Sequence, residues 1–226
     1  MSRINPRLLG AALIAIAFLV APFVLSGQPY LLRIVTMAAI YAIAAYGLNI
    51  ILGLTGQLSL AHGAFFGVGA YIVGLLTTDY DWSFWGSFLV AIAVTTLLGY
   101  ASGLIALRTQ GAYFAIFTMA LGFLIFIIVT RWESVTHAHS GVSGVKLPEA
   151  IGPIDFSEPT ALYYLVLFFL GGAAYTTHAV LNSSSGRALV AIRTSEDLAK
   201  SIGVNVALNK QLAFTASAGT AGLAGG

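Results

Sequence analysis

Apolar tracts of about 20 residues, each closed by a short polar cluster, recur through almost the whole chain, and that is the length a helix needs to cross a hydrocarbon core of about 30 Å. The pattern predicts six complete spans, at 8–25, 30–54, 58–78, 84–107, 111–130 and 161–181, and an unfinished seventh at 208–226. The seventh stops in AGTAGLAGG with no polar flank, which reads as a fragment whose natural C-terminus lies further on. The first follows Arg3 and Arg7 but is long for a signal peptide and lacks a convincing small-residue cleavage site, so it is kept as a span. The expected fold class is all-α, a polytopic helical membrane bundle in a single transmembrane domain.

Two segments between spans are polar. Residues 131–158 carry scattered Gly and Pro and charges of both signs, with turns expected at Ser140-Gly141 and Leu147-Pro148. In 182–210, SSSGRALVAIRTSEDLAKSIGVNVALNK, the serines Ser183 to Ser185 can cap a short helix bearing Leu189 and Ile192. Thr194 with Asp197 three residues on makes a capping box for a second helix, which Gly203 suits as a terminator. Both helices are far too short to span and are expected to lie at the inner surface.

Composition confirms the solvent: 58% of residues are hydrophobic and only 8% charged, against about 25% in soluble domains. Without cysteine there is no disulfide, thiol catalysis or cysteine metal site. So few charges make the basic balance uninformative about nucleic acid, but their placement is informative. With the N-terminus cytoplasmic, Arg3, Arg7, Arg108, Arg187, Arg193, Lys200 and Lys210 fall inside, and only Arg33, Arg131 and Lys146 fall at or beyond the outer face. Reading 30–78 as one crossing plus a re-entrant piece would place Arg108 and 187–210 outside, so two crossings joined tightly at Thr55-Gly56-Gln57 are preferred. On this topology 131–158 is external and 182–210 cytoplasmic.

The most unusual tract is GLTGQLSLAHGAFFGVGAY, from Gly53. Gly63, Gly67, Ala70 and Gly74 recur at helical spacing, which lines small residues along one face for close helix packing. Gln57, Ser59 and His62, with Asn49 upstream, are polar at membrane depth. Such groups either border a hydrated route near the inner half of the membrane or form hydrogen bonds between helices, and the sequence leaves both open. None of the spans contains Asp or Glu, which weakens an ion-coupled secondary transporter as the alternative function. A passive channel is a further alternative. No phosphate-loop, H-E-x-x-H or G-x-S-x-G motif is present, so the chain itself supplies neither ATP hydrolysis nor hydrolytic chemistry. His137 and His139 stand without a third ligand and read as a solvated loop rather than a metal site.

GLNIILGLTGQLSLAHGAFFGVGAY, GAYFAIFTMALG, HSGVSGV and GRALVAIRTSEDLAKSIGVNVALNK occur in that order, over most of 48–226. Together they resemble the permease subunits of branched-chain amino-acid ABC importers, in particular the M-type member of the permease pair. The resemblance implies a non-enzymatic, multi-pass subunit of the bacterial inner membrane, without cofactor. Its partners would be cytoplasmic ATP-binding subunits, a homologous second permease and an external substrate-binding protein. It also implies that the segment from Gly186 through Arg187, Leu189, Ile192, Arg193, Glu196, Leu198 and Ile202 to Gly203 couples to the ATPase. On the two short helices Leu189, Ile192, Leu198 and Ile202 are expected to be exposed as an apolar centre, with Arg187, Arg193, Glu196, Asp197 and Lys200 as a charged rim. The other reading of that amphipathic segment is a helix resting on the inner leaflet. Where the family reads T-G-G-S-N-G after the fifth span, this chain has Thr136-His137-Ala138-His139-Ser140-Gly141, and urea, amide and aromatic amino-acid systems share the architecture.

Overall fold

The computed structural model describes residues 17–25, 27–109, 111–138 and 141–226. Most of the first expected span, with Arg3 and Arg7, and the positions His139 and Ser140 lie outside the described residues; residues 17–24 are helical. The named helices are α1 (Pro29–Thr55), α2 (His62–Thr78), α3 (Phe84–Ala106), α4 (Ala112–Arg131), the single turn α5 (Glu133–Thr136), α6 (Pro159–Asn182), α7 (Ser184–Thr194), α8 (Glu196–Ser201) and α9 (Val206–Gly225). Among the described residues there is no strand, only an isolated bridge between Ile151 and Ile154. The chain is an all-α polytopic membrane protein.

Local chemistry sets the helix ends. Pro29 and Pro159 open α1 and α6 at positions where no N–H is needed. The side-chain oxygens of Ser83, Ser183 and Asn205 accept from Gly86, Gly186 and Leu208 amides at the starts of α3, α7 and α9. The cap of α8 is Ser195, accepting from the Leu198 amide at 3.3 Å, and not Thr194. Thr194 still belongs to α7, where its hydroxyl donates to the Val190 carbonyl. Gly203, at φ +84°, follows α8 as expected. In 131–158 turns fall at Gly152-Pro153, where Gly152 takes φ +61° and Ile151 and Ile154 exchange backbone hydrogen bonds, and at Phe156-Ser157; Leu147-Pro148 makes none, and the Ser140-Gly141 turn lies partly outside the described residues.

Four of the helices, α1, α3, α4 and α6, are long and apolar enough to cross a membrane. The third expected span, 58–78, is shorter than drawn. Gly56 closes α1 in the left-handed region at φ +74°, and helix resumes only at His62, so α2 has 17 residues, or about 26 Å. The link 57–61 between them is non-helical, with Gln57, Ser59 and Ala61 buried and Leu58 and Leu60 exposed. The seventh segment is helical from Val206, but it carries Asn209, Lys210 and Gln211 and sits inside the protein rather than against lipid.

That segment, α9, organises the bundle. It packs on α1, α2 and α3, while α6 lies against α1, and α4 touches α2 at the margin. Close approach is needed where α2 crosses α9, because a Cβ on Gly69 would run into the Gly222 backbone. The main core joins Ile50, Ile51 and Leu54 of α1, Phe65 of α2, Phe114 of α4 and Phe214 of α9, with Leu189 and Ile192 of α7. Phe65 and Phe114 meet Phe214 edge to face, with centroids 5.9 and 5.8 Å away. At the opposite end of the bundle, three residues after α5 are strapped to the α2–α3 corner. His137 Nε2 lies 2.9 Å from Asp79, Lys146 pairs with Asp81, and the Trp85 indole donates to the Glu149 carbonyl.

Candidate functional site

The link between Gly56 and His62 is non-helical and turns its polar side chains Gln57 and Ser59 inward, and its hydrogen bonds show what surrounds it. The Leu60 amide donates to Thr118 Oγ1 of α4 at 3.1 Å. His62 Nε2 is 2.6 Å from Ser217 Oγ of α9, and His62 Nδ1 is 3.2 Å from Ser59 Oγ. Ser217 donates its own proton to the Gly47 carbonyl of α1, so towards His62 it accepts. Nε2 therefore carries a proton, and with the ring buried the tautomer that satisfies both nitrogens without a buried charge is the neutral one, in which Nδ1 accepts from Ser59. One relay of three side chains thus ties the link and the start of α2 to α9 and α1.

Gln57 is buried beside this relay in sequence but joins no hydrogen bond: neither atom of its amide has a partner. Asn49 is exposed and lies over Gly53 one turn further along α1, so it is not gathered with Gln57, Ser59 and His62. Ser217 and Thr118 complete the site, and neither was among the candidates read from sequence.

The small-residue face of α2 does not pack as expected. A Cβ on Gly63 or Gly67 would meet nothing within 4 Å, since both glycines line an apolar cavity of about 440 Å³ between α2 and α4, with Met119, Gly122 and Phe126 opposite. Gly74 instead faces Val142 and Val145 of the loop, and the Ala70 backbone lies beside Gly225. The reason is the position of α9, which sits on the Gly69 side of α2.

In 182–210 the expected exposed patch divides in two. Leu189 and Ile192 are buried in the main core, against the end of α1 and the start of α9, and are not available to a partner. Gly186 is buried because a Cβ there would strike the Val180 and Leu181 carbonyls. Arg193 stays exposed, but its Nη1 donates to the Gly53 carbonyl at 2.7 Å, a cation at the C-terminus of α1. Glu196 pairs with Lys210, which is only 2% exposed on α9, so this acid is an internal anchor rather than part of a rim. The free surface holds Leu198 and Ile202, at 63% and 68% exposure, with Val190, Asp197 and Lys200. Arg187 is exposed too, donating to the Asn182 carbonyl at 3.3 Å.

No group of three or more metal-ligating side chains comes together among the described residues. The sequence profile of the family described as "Branched-chain amino acid transport system / permease component" matches residues 30–226. The chain belongs to that family. The permease is 31% identical to the high-affinity branched-chain amino acid transport system permease protein LivM of Salmonella typhimurium, over 99% of its own length and 57% of that protein's. It is 30% identical to the protein of the same name from Escherichia coli, over 98% of its length and 59% of the relative's. It therefore spans less than two thirds of these curated relatives. No solved structure matches the permease.

Proposed function

We propose that this chain is a transmembrane permease subunit of an ATP-driven importer for branched-chain or related amino acids. It passes substrate from an external binding protein to the cytoplasm by alternating access, paired with a homologous permease and driven by cytoplasmic ATP-binding subunits of the inner membrane. Family membership supports the transport role. The single observation that supports the coupling is the two-sided build of α7 and α8. One side is locked into the bundle through Leu189, Ile192, Arg193 and the Glu196–Lys210 pair, while the other presents Leu198 and Ile202 among charges. A push on such an element reaches α1 and α9 directly, and both flank the link that holds Gln57, Ser59 and His62. Alternating access needs that kind of connection between a docking surface and packed spans.

The test is Leu198→Asp in the full-length permease, co-purified with its ATPase partner. Burying Leu198 at an interface contributes about 1–3 kcal/mol, so the charged variant is expected to weaken association roughly tenfold or more and to uncouple hydrolysis from import. Undiminished association with normal coupling leaves a helix resting on the inner leaflet as the better account.

A further inference from the structure

We propose that the contact between His137 and Asp79 is a pH-sensitive latch. Protonation of His137 by an acidic exterior fastens the outer end of α4 to the α2–α3 corner, and deprotonation releases it. The proposal rests on the reading that places 131–158 outside.

The latch closes one end of a loosely packed seam. Between α2 and α4 lies the apolar cavity of about 440 Å³, where Gly63 and Gly67 face Met119, Gly122 and Phe126 without filling the space. Polar ties join the two helices at its ends. At one end the Leu60 amide donates to Thr118 of α4, a tie with no titratable group. At the other, Thr136 of α5 donates to the Val129 and Trp132 carbonyls and so anchors the chain to the end of α4. The next residue, His137, places Nε2 2.9 Å from Asp79, the C-cap of α2.

The backbone at this joint is held by its surroundings. Among the described residues, those other than glycine with a left-handed φ are Asp81, His137 and Ala138, at +55°, +55° and +46°. All three lie where the chain after α5 meets the corner. Such a conformation is uncommon for a residue with a side chain and persists only where neighbours maintain it. Weakening the contact therefore lets the segment relax away from the corner.

The charges make the joint respond to protons. The corner supplies Asp79 and Asp81, and their partners are His137 and Lys146. Lys146 holds the Asp81 carboxyl below its usual range, first through its hydrogen bond and then through its charge, so that pair stays ionised near neutral pH. Histidine is the side chain whose ordinary titration falls between about pH 5 and 8. On its own side of the seam His137 has Arg131 of α4 and Glu133 of α5, and the acid it pairs with is Asp79. A neutral ring donates one hydrogen bond to that carboxylate, and a protonated ring adds a full opposite charge to the same bond. The gain exists only with the joint closed, so proton binding and closure favour each other: acid closes the latch and alkali opens it. His137 and Asp79 are 46% and 32% exposed, which keeps the effect modest and makes it fall with salt.

The test uses the full-length permease with its partner subunits in proteoliposomes of known orientation. Spin labels on Tyr80→Cys and Val135→Cys, both at exposed positions, report the distance from the corner to the end of α4 by pulsed electron paramagnetic resonance. At about pH 5 one short distance is expected, and at about pH 8 a longer population rises severalfold. His137→Gln, which keeps a donor but does not titrate, and Asp79→Asn each give one distribution at both pH values. His137→Arg, charged throughout, keeps the short distance at both, and molar salt shrinks the parental response. A parental distribution indifferent to pH overturns the latch, as does a response that survives in His137→Gln. Acidifying the external bath alone is expected to suffice. A response confined to the opposite bath overturns the outward placement of 131–158 instead and leaves the latch standing.

Discussion

Ser217 decides the protonation pattern at His62, because its own proton is committed to the Gly47 carbonyl. Gln57 has no such arrangement. An amide buried without partners costs about 1–3 kcal/mol, so Gln57→Leu, similar in size and apolar, is expected to stabilise the permease by about 1 kcal/mol. If Gln57 borders the transport route, the same variant lowers import. Thermal unfolding in detergent and uptake in proteoliposomes separate the two effects: a stability loss would mean that the amide is paired, and unchanged import that it lies off the route. Polarity inside an apolar tract was enough to single out Gln57, Ser59 and His62. Their partners were not legible, since Ser217 is 155 residues from His62 and Thr118 is 58 from Leu60, and a serine or threonine in a membrane helix most often bonds only its own backbone.

At the scale of elements, α7 shows what helical spacing can and cannot tell. Leu189 and Ile192 are three residues apart and must share a face, which is legible. Whether that face turns to a partner or to the chain's own α1 and α9 depends on packing that a lone amphipathic segment does not encode. Ile192→Asp is therefore expected to destabilise the bundle itself by more than about 3 kcal/mol, through the lost apolar burial and an unpaired buried carboxylate. Leu198→Asp spares the fold. Comparing yield and unfolding temperature of the two variants checks this, and equal behaviour would contradict the division of the segment into an inner and an outer side. The α1–α2 corner was legible as a tight connection at Gly56 because glycine tolerates the left-handed conformation, whereas the non-helical link that follows looks in sequence like the first turn of a helix.

At the scale of the whole molecule, one end of the bundle gathers Gly53, α7, α8 and Lys210, and the other gathers Asp79, Asp81, His137 and Lys146. With the cationic excess of the first end cytoplasmic, single cysteines at Ser143 and Ser184 are expected to label from opposite sides with an impermeant reagent, and labelling from one side refutes the topology. The central position of α9 also bears on how the permease is made. Every described helix that α9 touches precedes it in the chain, so α1, α2 and α3 are synthesised before the helix they pack on. Among the described residues α9 is not one of the helices apolar enough to cross on their own, and its Lys210 and Ser217 find partners there in segments synthesised earlier. Those polar groups reach their partners only once α9 is in the bundle, and α8, whose anchor is Lys210, gains that anchor only after the helix that follows it is in place.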